Sequence, residues 1–197
     1  MSHYFSKQPT TKSNPQAIEF HYHNHKFVFN SDRGVFSKDH VDFATQLLIE
    51  SVEVQKNQKV LDLGCGYGVI GIVLSKITPL ELTMIDVNQR ALELTNQNLL
   101  KHGVNAEVIE SDGFEKLTET YDHIITNPPI RIGKTSLYKL FFNAKSHLKP
   151  KGILWIVMHK KHGVLSAVKY LNELYTVNTV IKQKGFHVIA CHNLLTN

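Results

Sequence analysis

Val60-Leu61-Asp62-Leu63-Gly64-Cys65-Gly66-Tyr67-Gly68 is the stretch that decides the fold. A short apolar run leads into glycines at alternate positions, and Ile72, Val73 and Ile77 follow on one side of a helix. Glycines so placed let the backbone turn sharply from strand to helix and let a ligand approach it closely. Gly66 to Gly71 also spells G-x-G-x-x-G, the pattern of dinucleotide sites. Asp62 speaks against that reading. A carboxylate at the strand end before the glycines would face the anionic pyrophosphate that a dinucleotide lays across the turn, so it suits a cationic ligand instead.

Two further acids stand in equivalent places. Asp86 ends the next run, Leu80 to Asp86, about 20 residues on, where an acidic group can hold both hydroxyls of a ribose. Asp112 follows a third run, Ala106 to Ile109, and can accept from an adenine amino group. A ligand with adenine, ribose and a positive amino-acid tail fits all three carboxylates, and S-adenosylmethionine is that ligand. Open α/β sheets bind ligands at this C-terminal edge of their strands.

From Lys59 onward the chain alternates strand and helix. Asn88 caps a helix bearing Ala91, Leu92, Leu94 and Leu99, which Gly103 ends. Tyr121 to Thr126 and Ile153 to Met158 are further strands, with helices near 135–148 and 162–174. Val177 to Lys182 and His187 to Cys191 are joined through Gly185, too close for a crossover helix, and must be antiparallel neighbours. The expected architecture is a Rossmann-like α/β fold. It has a mainly parallel seven-stranded sheet, one antiparallel strand near the edge, and helices on both faces. Before it, Phe20, Tyr22, Phe27 and Phe29 alternate with polar residues around Asn24-His25, which predicts a β-hairpin over 18–30. Asp39 can cap the helix that carries Phe43, Ala44, Leu47 and Leu48. Residues 1–17 read as a flexible basic lead, and residues 18–197 as a single domain.

Length and composition agree. The 197 residues are 42% hydrophobic and 20% charged, enough for one sizeable core and against disorder. No apolar run reaches the roughly 18 residues of a membrane span, and the polar N-terminus lacks a signal core. Two cysteines, Cys65 and Cys191, build no disulfide framework, so the expected compartment is the cytoplasm. The net charge of +5 and pI of about 9.1 hint at a polyanionic partner.

Asn127-Pro128-Pro129-Ile130 follows the strand Tyr121–Thr126. Two prolines fix the backbone and remove two N–H donors. A rigid row of acceptors remains: the Asn127 side-chain oxygen and the Pro128 carbonyl. Two neighbouring acceptors match the two N–H bonds of a planar exocyclic amine. Holding both hydrogens aims the nitrogen lone pair at an electrophile, without a strong general base.

On these residues the chain resembles class I methyltransferases that modify exocyclic amines of nucleobases. It is most similar to the RsmC-like family of small-subunit ribosomal RNA guanine-N2 methyltransferases, in its short single-domain form. The resemblance runs from about Phe20 to Asn193. It rests on Gly34-Val35-Phe36-Ser37, the Asp62–Gly68 loop, Asp86 with Asn88, and Asn127-Pro128-Pro129-Ile130 followed by Arg131 and Lys134. It implies that Asp62, Gly64, Gly66, Asp86 and Asp112 hold the cofactor, while Asn127 borders it and orients the amine. Ile130 stands where many relatives carry the Phe or Tyr that stacks on the target base, so either an aliphatic contact suffices or Phe36 supplies the aromatic face. Pro129, Ile130, Arg131 and Lys134 complete the expected substrate side, with ribosomal RNA or the small subunit as partner and a monomer as the active form. Other planar amines, adenine N6 or a protein glutamine, fit the same acceptors. A non-catalytic RNA-binding module with a vestigial pocket is the alternative of another class.

His21, His23 and His25 alternate along one expected strand face and read as solvated rather than as metal ligands, and no metal is expected. Trp155 lies in the apolar run Ile153–Met158 and reads as core. Cys65 lacks a partner base and does not read as a nucleophile.

Overall fold

The computed structural model describes residues 12–37 and 39–194. Most of the expected flexible lead falls outside them. Its last residues do not: Gln16 and Ala17 belong to β1 (Gln16–Tyr22), which pairs antiparallel with β2 (His25–Ser31). Asp32 holds the approach to this hairpin by accepting from the Ser13 hydroxyl at 2.7 Å and from the Asn14 backbone N–H. The turn lies at His23-Asn24, so the three histidines occupy two strands and a turn instead of one strand face. All three are exposed.

The main sheet contains β3 (Lys59–Leu63), β4 (Glu81–Asp86), β5 (Glu107–Glu110), β6 (Tyr121–Thr126), β7 (Leu148–His159), β8 (Thr176–Gln183) and β9 (Phe186–His192), in the order β5-β4-β3-β6-β7-β9-β8. The first five in that order are parallel. β9 runs antiparallel to both β7 and the edge strand β8, as the short Gly185 connection requires. The helices are α1 (Phe43–Ser51), α2 (Val69–Ile77), α3 (Gln89–His102), α4 (Lys134–Ala144) and α5 (Val164–Leu171).

Period-two alternation sorts the core into two layers. Ile125, Trp155 and Val157 face α1, α2, α3 and the hairpin, whereas Ile124, Leu154 and Ile156 face α4 and α5. The aliphatic side chains among these, all buried, each contribute about 1.5–3 kcal/mol by leaving water. Trp155 is core, as its sequence context implies, and its indole N–H donates to His123 Nδ1 at 3.0 Å. Gly71 lets α2 approach β4 closely, since a Cβ there would stand 2.9 Å from Met84 Cε.

One local expectation changes. α1 is capped by Asp42, not Asp39: Asp42 Oδ1 accepts from the Thr45 N–H at 3.1 Å, and the helix starts at Phe43. Both acids precede the apolar face, but only Asp42 lies three residues before a free N–H of the first turn.

The chain leaves β3 toward β4 and β5, then returns to β6 on the other side of β3. This reversal opens a crevice at the C-terminal ends of β3 and β6. A cleft of about 1210 Å³ lies there, lined on one side by Gly64, Gly66 and Asp86 and on the other by Asn127 and Pro128.

Candidate active site

The glycine loop forms one wall. Gly64, Gly66 and Gly68 have φ of 74°, 59° and 95°, a region in which a side chain would be strained. The N–H groups of Gly64 and Cys65 both donate to the Ile85 carbonyl at 2.9 Å, which anchors the turn on the end of β4. The Thr95 hydroxyl donates to the Gly66 carbonyl at 2.8 Å and the Asn98 amide to the Tyr67 carbonyl at 2.8 Å. A Cβ at Gly64 or Gly66 would meet nothing within 4 Å, so the loop backbone is open toward the cleft.

Asp86 is built into this wall. Its Oδ2 accepts from the Gly66 N–H at 2.9 Å and its Oδ1 from the Asn88 N–H at 2.9 Å. Burial pushes its carboxyl above the usual range. Asp112 is exposed on the cleft rim beyond β5. Asp62 differs from both. It is fully buried and does not line the cleft, because its side chain turns under the start of α2, where Oδ2 accepts from the Gly71 N–H at 2.9 Å. Its Oδ1 has no hydrogen-bond partner. Burial, and after it the neighbouring Asp86 charge, push the Asp62 carboxyl up to about 7 against the pull of the Gly71 N–H. Asp62 therefore supports the loop from beneath and projects a negative field through it. An orphaned carboxylate oxygen, two carboxyls that resist ionising together and a bare glycine backbone fit a cationic nucleoside ligand. Cys65 is buried with its thiol pushed well up by that burial, so it carries no nucleophile.

Asn127 and Pro128 form the opposite wall, directly after β6. Among the described residues the Pro128 carbonyl accepts no hydrogen bond, whereas those of Pro129 and Ile130 accept from Ile132 and Gly133 in a following 3-10 turn. The Asn127 amide N–H donates to Thr45 Oγ1 at 3.1 Å, and the Thr45 hydroxyl donates to Asp42 Oδ2 at 2.6 Å. A carboxylate only accepts, so Asp42 fixes the direction of this chain. The Asn127 N–H side is thereby used, and its oxygen remains for the cleft. Sequence reading missed Thr45 and Asp42. The signal was present in Asp42-x-x-Thr45, an N-cap pattern, but its meaning depends on α1 packing against β7 and β9, which brings Thr45 to Asn127.

The segment 34–37 crosses the cleft as a strap. Gly34 O accepts from the Asn88 amide at 2.9 Å, Arg33 O from the Arg90 guanidinium at 2.6 Å and Ser37 O from the Tyr67 hydroxyl at 3.2 Å. Phe36 lines the cleft and is 47% exposed, so its ring is available to a ligand. Pro129, Ile130 and Arg131 also line the cleft. Lys134 does not; it lies just outside, with Nζ 5.2 Å from the centre of the Tyr138 ring. His159 at the end of β7, His162 in the 3-10 turn that follows and Phe186 at the start of β9 also line the cleft and were not singled out by sequence. Among the described residues no group of acids, histidines and cysteines could hold a metal, and no helix is long and apolar enough to cross a membrane.

Comparison with known proteins agrees with this geometry. The family model described as methyltransferase small domain matches residues 26–190. The uncharacterized protein YbxB of Bacillus subtilis (strain 168) is 45% identical over 193 residues, covering 95% of this chain and 96% of YbxB. The ribosomal RNA small subunit methyltransferase C of Serratia proteamaculans (strain 568) is 40% identical over 169 residues, 83% of this chain and 48% of that protein. Among solved structures, the T. thermophilus 16S rRNA N2 G1207 methyltransferase (RsmC), in complex with AdoMet and guanosine, superposes with a TM-score of 0.83 at 25% identity, over 92% of this chain and 51% of that one. The chain thus spans about half the length of the methyltransferase C relatives that it matches.

Proposed function

The chain belongs to the methyltransferase small domain family, whose chemistry draws on S-adenosylmethionine, and we propose that it methylates the exocyclic N2 of a guanine in small-subunit ribosomal RNA. The observation that carries this reading is the pair of free acceptors, Asn127 Oδ1 and Pro128 O, facing a loop suited to a cationic nucleoside across one cleft. The RsmC structure that holds AdoMet and guanosine supports the choice of base.

Each side chain has a definite task. Asp86 presents its carboxylate to the ribose hydroxyls, Asp112 accepts from the adenine amine, and Gly64 and Gly66 let the backbone lie against the ligand. Asp62 favours positive charge above the loop. When bound, the cofactor supplies an electrophilic methyl group. Asn127 and Pro128 accept the two N–H bonds of the target amine, which orients its lone pair. The surplus proton leaves for solvent once the nitrogen is methylated, so no side chain need act as a strong base. Phe36 and Ile130 flank the base; a base–aromatic stack contributes roughly 1–3 kcal/mol. Arg131 and Lys134 meet the RNA backbone. The domain, with its hairpin from Gln16, acts as a monomer, in the cytoplasm where ribosomal RNA is processed.

Mass spectrometry of ribosomal RNA nucleosides from cells with and without the gene tests the reading. Loss of one N2-methylguanosine is the expected result. Loss of N6-methyladenosine, or of a methylated protein glutamine with the RNA unchanged, would overturn the choice of substrate. Absence of tritium transfer from labelled S-adenosylmethionine to any ribosomal RNA or ribosomal protein would overturn the enzymatic reading.

A further inference from the structure

Half of the chain's 22 Lys and Arg lie from Arg131 onward, whereas of its 17 Asp and Glu only Glu173 lies beyond Asp122. That C-terminal part supplies β7, β8, β9, α4 and α5, so the cations gather on one half of the sheet. At the cleft mouth they form two banks. One is Arg131, just before α4, with Lys139 midway along it, both lining the cleft. The other joins two turns that are remote in sequence: Lys160 and Lys161 in the 3-10 turn after β7, and Lys184 in the β8–β9 turn.

The second bank is held as a unit. The Lys160 N–H donates to the Gly185 carbonyl at 2.7 Å, and His159 Nδ1 accepts from the Lys161 N–H at 3.1 Å. The His159 ring packs edge-on against Phe186 at 4.7 Å, and Phe186 lines the same cleft as Asn127. Lys184 Nζ stands 4.6 Å from the centre of the Phe43 ring. All five cations are exposed, and none pairs with a carboxylate among the described residues. Like charges held together without counter-charges repel one another until a polyanion arrives. A duplex would keep its bases out of reach of Asn127, so the polyanion must present an unpaired or extruded nucleotide.

We propose that a single RNA strand crosses the cleft mouth from the Arg131–Lys139 bank to the Lys160–Lys161–Lys184 bank, with the target nucleotide turned inward between them. The proposal rests on RNA being the substrate and adds where its backbone lies. The acid-rich β3–β5 half repels phosphate and so sets the side of approach.

The test is fluorescence anisotropy with a labelled small-subunit ribosomal RNA transcript over a range of KCl concentrations. Neutralising three single-strand phosphate contacts lowers the slope of log affinity against log salt by about 2. K160A/K161A/K184A is expected to show that loss, with at least a tenfold weaker affinity at low salt and wild-type cofactor affinity. Lysine-to-arginine changes at the same three positions keep the slope, which separates charge from folding. K56A/K151A/K169A removes equal charge away from the cleft and is expected to leave the slope within error. Equal slope loss in this control would reduce the effect to net charge and overturn the proposal. An unchanged slope in K160A/K161A/K184A, with wild type binding RNA tightly, would overturn the track alone. A wild-type protein that fails to bind the transcript at low salt would overturn the RNA reading and the track together.

Discussion

The two walls of the cleft use charge in opposite ways. On the β3–β4 side the acids have their geometry fixed inside the protein: Asp86 by two backbone N–H groups and Asp62 by one. On the β6–β7–β9 side the five cations at the cleft mouth are exposed and lack carboxylate partners among the described residues, while the two neutral acceptors at Asn127 and Pro128 are held rigidly. Under the proposed function the first wall is preorganised for a small ligand of known shape, and the second combines a rigid reaction centre with a rim that adapts to a long, flexible one.

Asn127→Ala strikes this division hardest. It removes the side-chain acceptor but leaves the glycine wall, so turnover should fall by about 10²-fold or more, as when one preorganised hydrogen-bonding group is lost. Cofactor affinity measured by titration calorimetry should stay within a few-fold. A collapse of cofactor binding with normal turnover at saturation would show that the two walls have been assigned the wrong way round. Asp86→Ala is the converse. Loss of charge-assisted hydrogen bonds worth about 1.5–3 kcal/mol predicts cofactor affinity roughly 10- to 10²-fold weaker, with turnover of the saturated enzyme little changed.

A pH series sharpens the comparison further. The buried Asp62 carboxyl titrates at about 7, so it holds a proton below that pH and carries charge above it. A cationic ligand favours the charged form. Cofactor affinity should therefore rise with pH by about tenfold between roughly pH 6 and 8, with release of a proton on binding near neutrality. Asp62→Asn should flatten the profile; an unaltered rise in that variant would assign the titration elsewhere. The smallest effect belongs to Thr45→Val, which breaks the Asp42–Thr45–Asn127 chain and leaves the acceptors of Asn127 and Pro128 in place. One lost hydrogen bond of about 0.5–1.5 kcal/mol predicts a turnover about 2- to 10-fold lower. Thr45→Ser should restore it, and cofactor affinity should not move. Equal activity in the valine variant would mean that the prolines alone orient Asn127.

The sequence made the first wall more legible than the second. Glycine spacing and acids at strand ends are local signals, because the loop and its helix are adjacent in the chain. They still did not show that Asp62 turns under α2, since which face of a strand end is covered depends on how closely Gly71 lets the helix approach. The Asn-Pro-Pro segment was also readable, being a rigid turn directly after a strand. Its support was not: Thr45 is more than 80 residues from Asn127 in sequence and meets it only because α1 packs over the sheet. Lys160 and Lys161 are visible in the basic stretch after Arg131, but that Lys184 joins them was hidden for the same reason, as two separate turns become one surface only through β7–β9 pairing. What could have been counted in advance is the scarcity of acids after Asp122.

The strap at 34–37 has a consequence in time. Its fasteners, Asn88, Arg90 and Tyr67, belong to the glycine loop and the start of α3, while the Phe36 ring it carries stands exposed in the cleft. A ligand that settles the glycine loop would steady Tyr67 and Asn88, and through them the strap that carries Phe36. The two ligands are then not interchangeable guests. If the chain methylates RNA as proposed, the expected order is cofactor first and RNA second, and product-inhibition kinetics showing random order would break the link between the strap and the second seat.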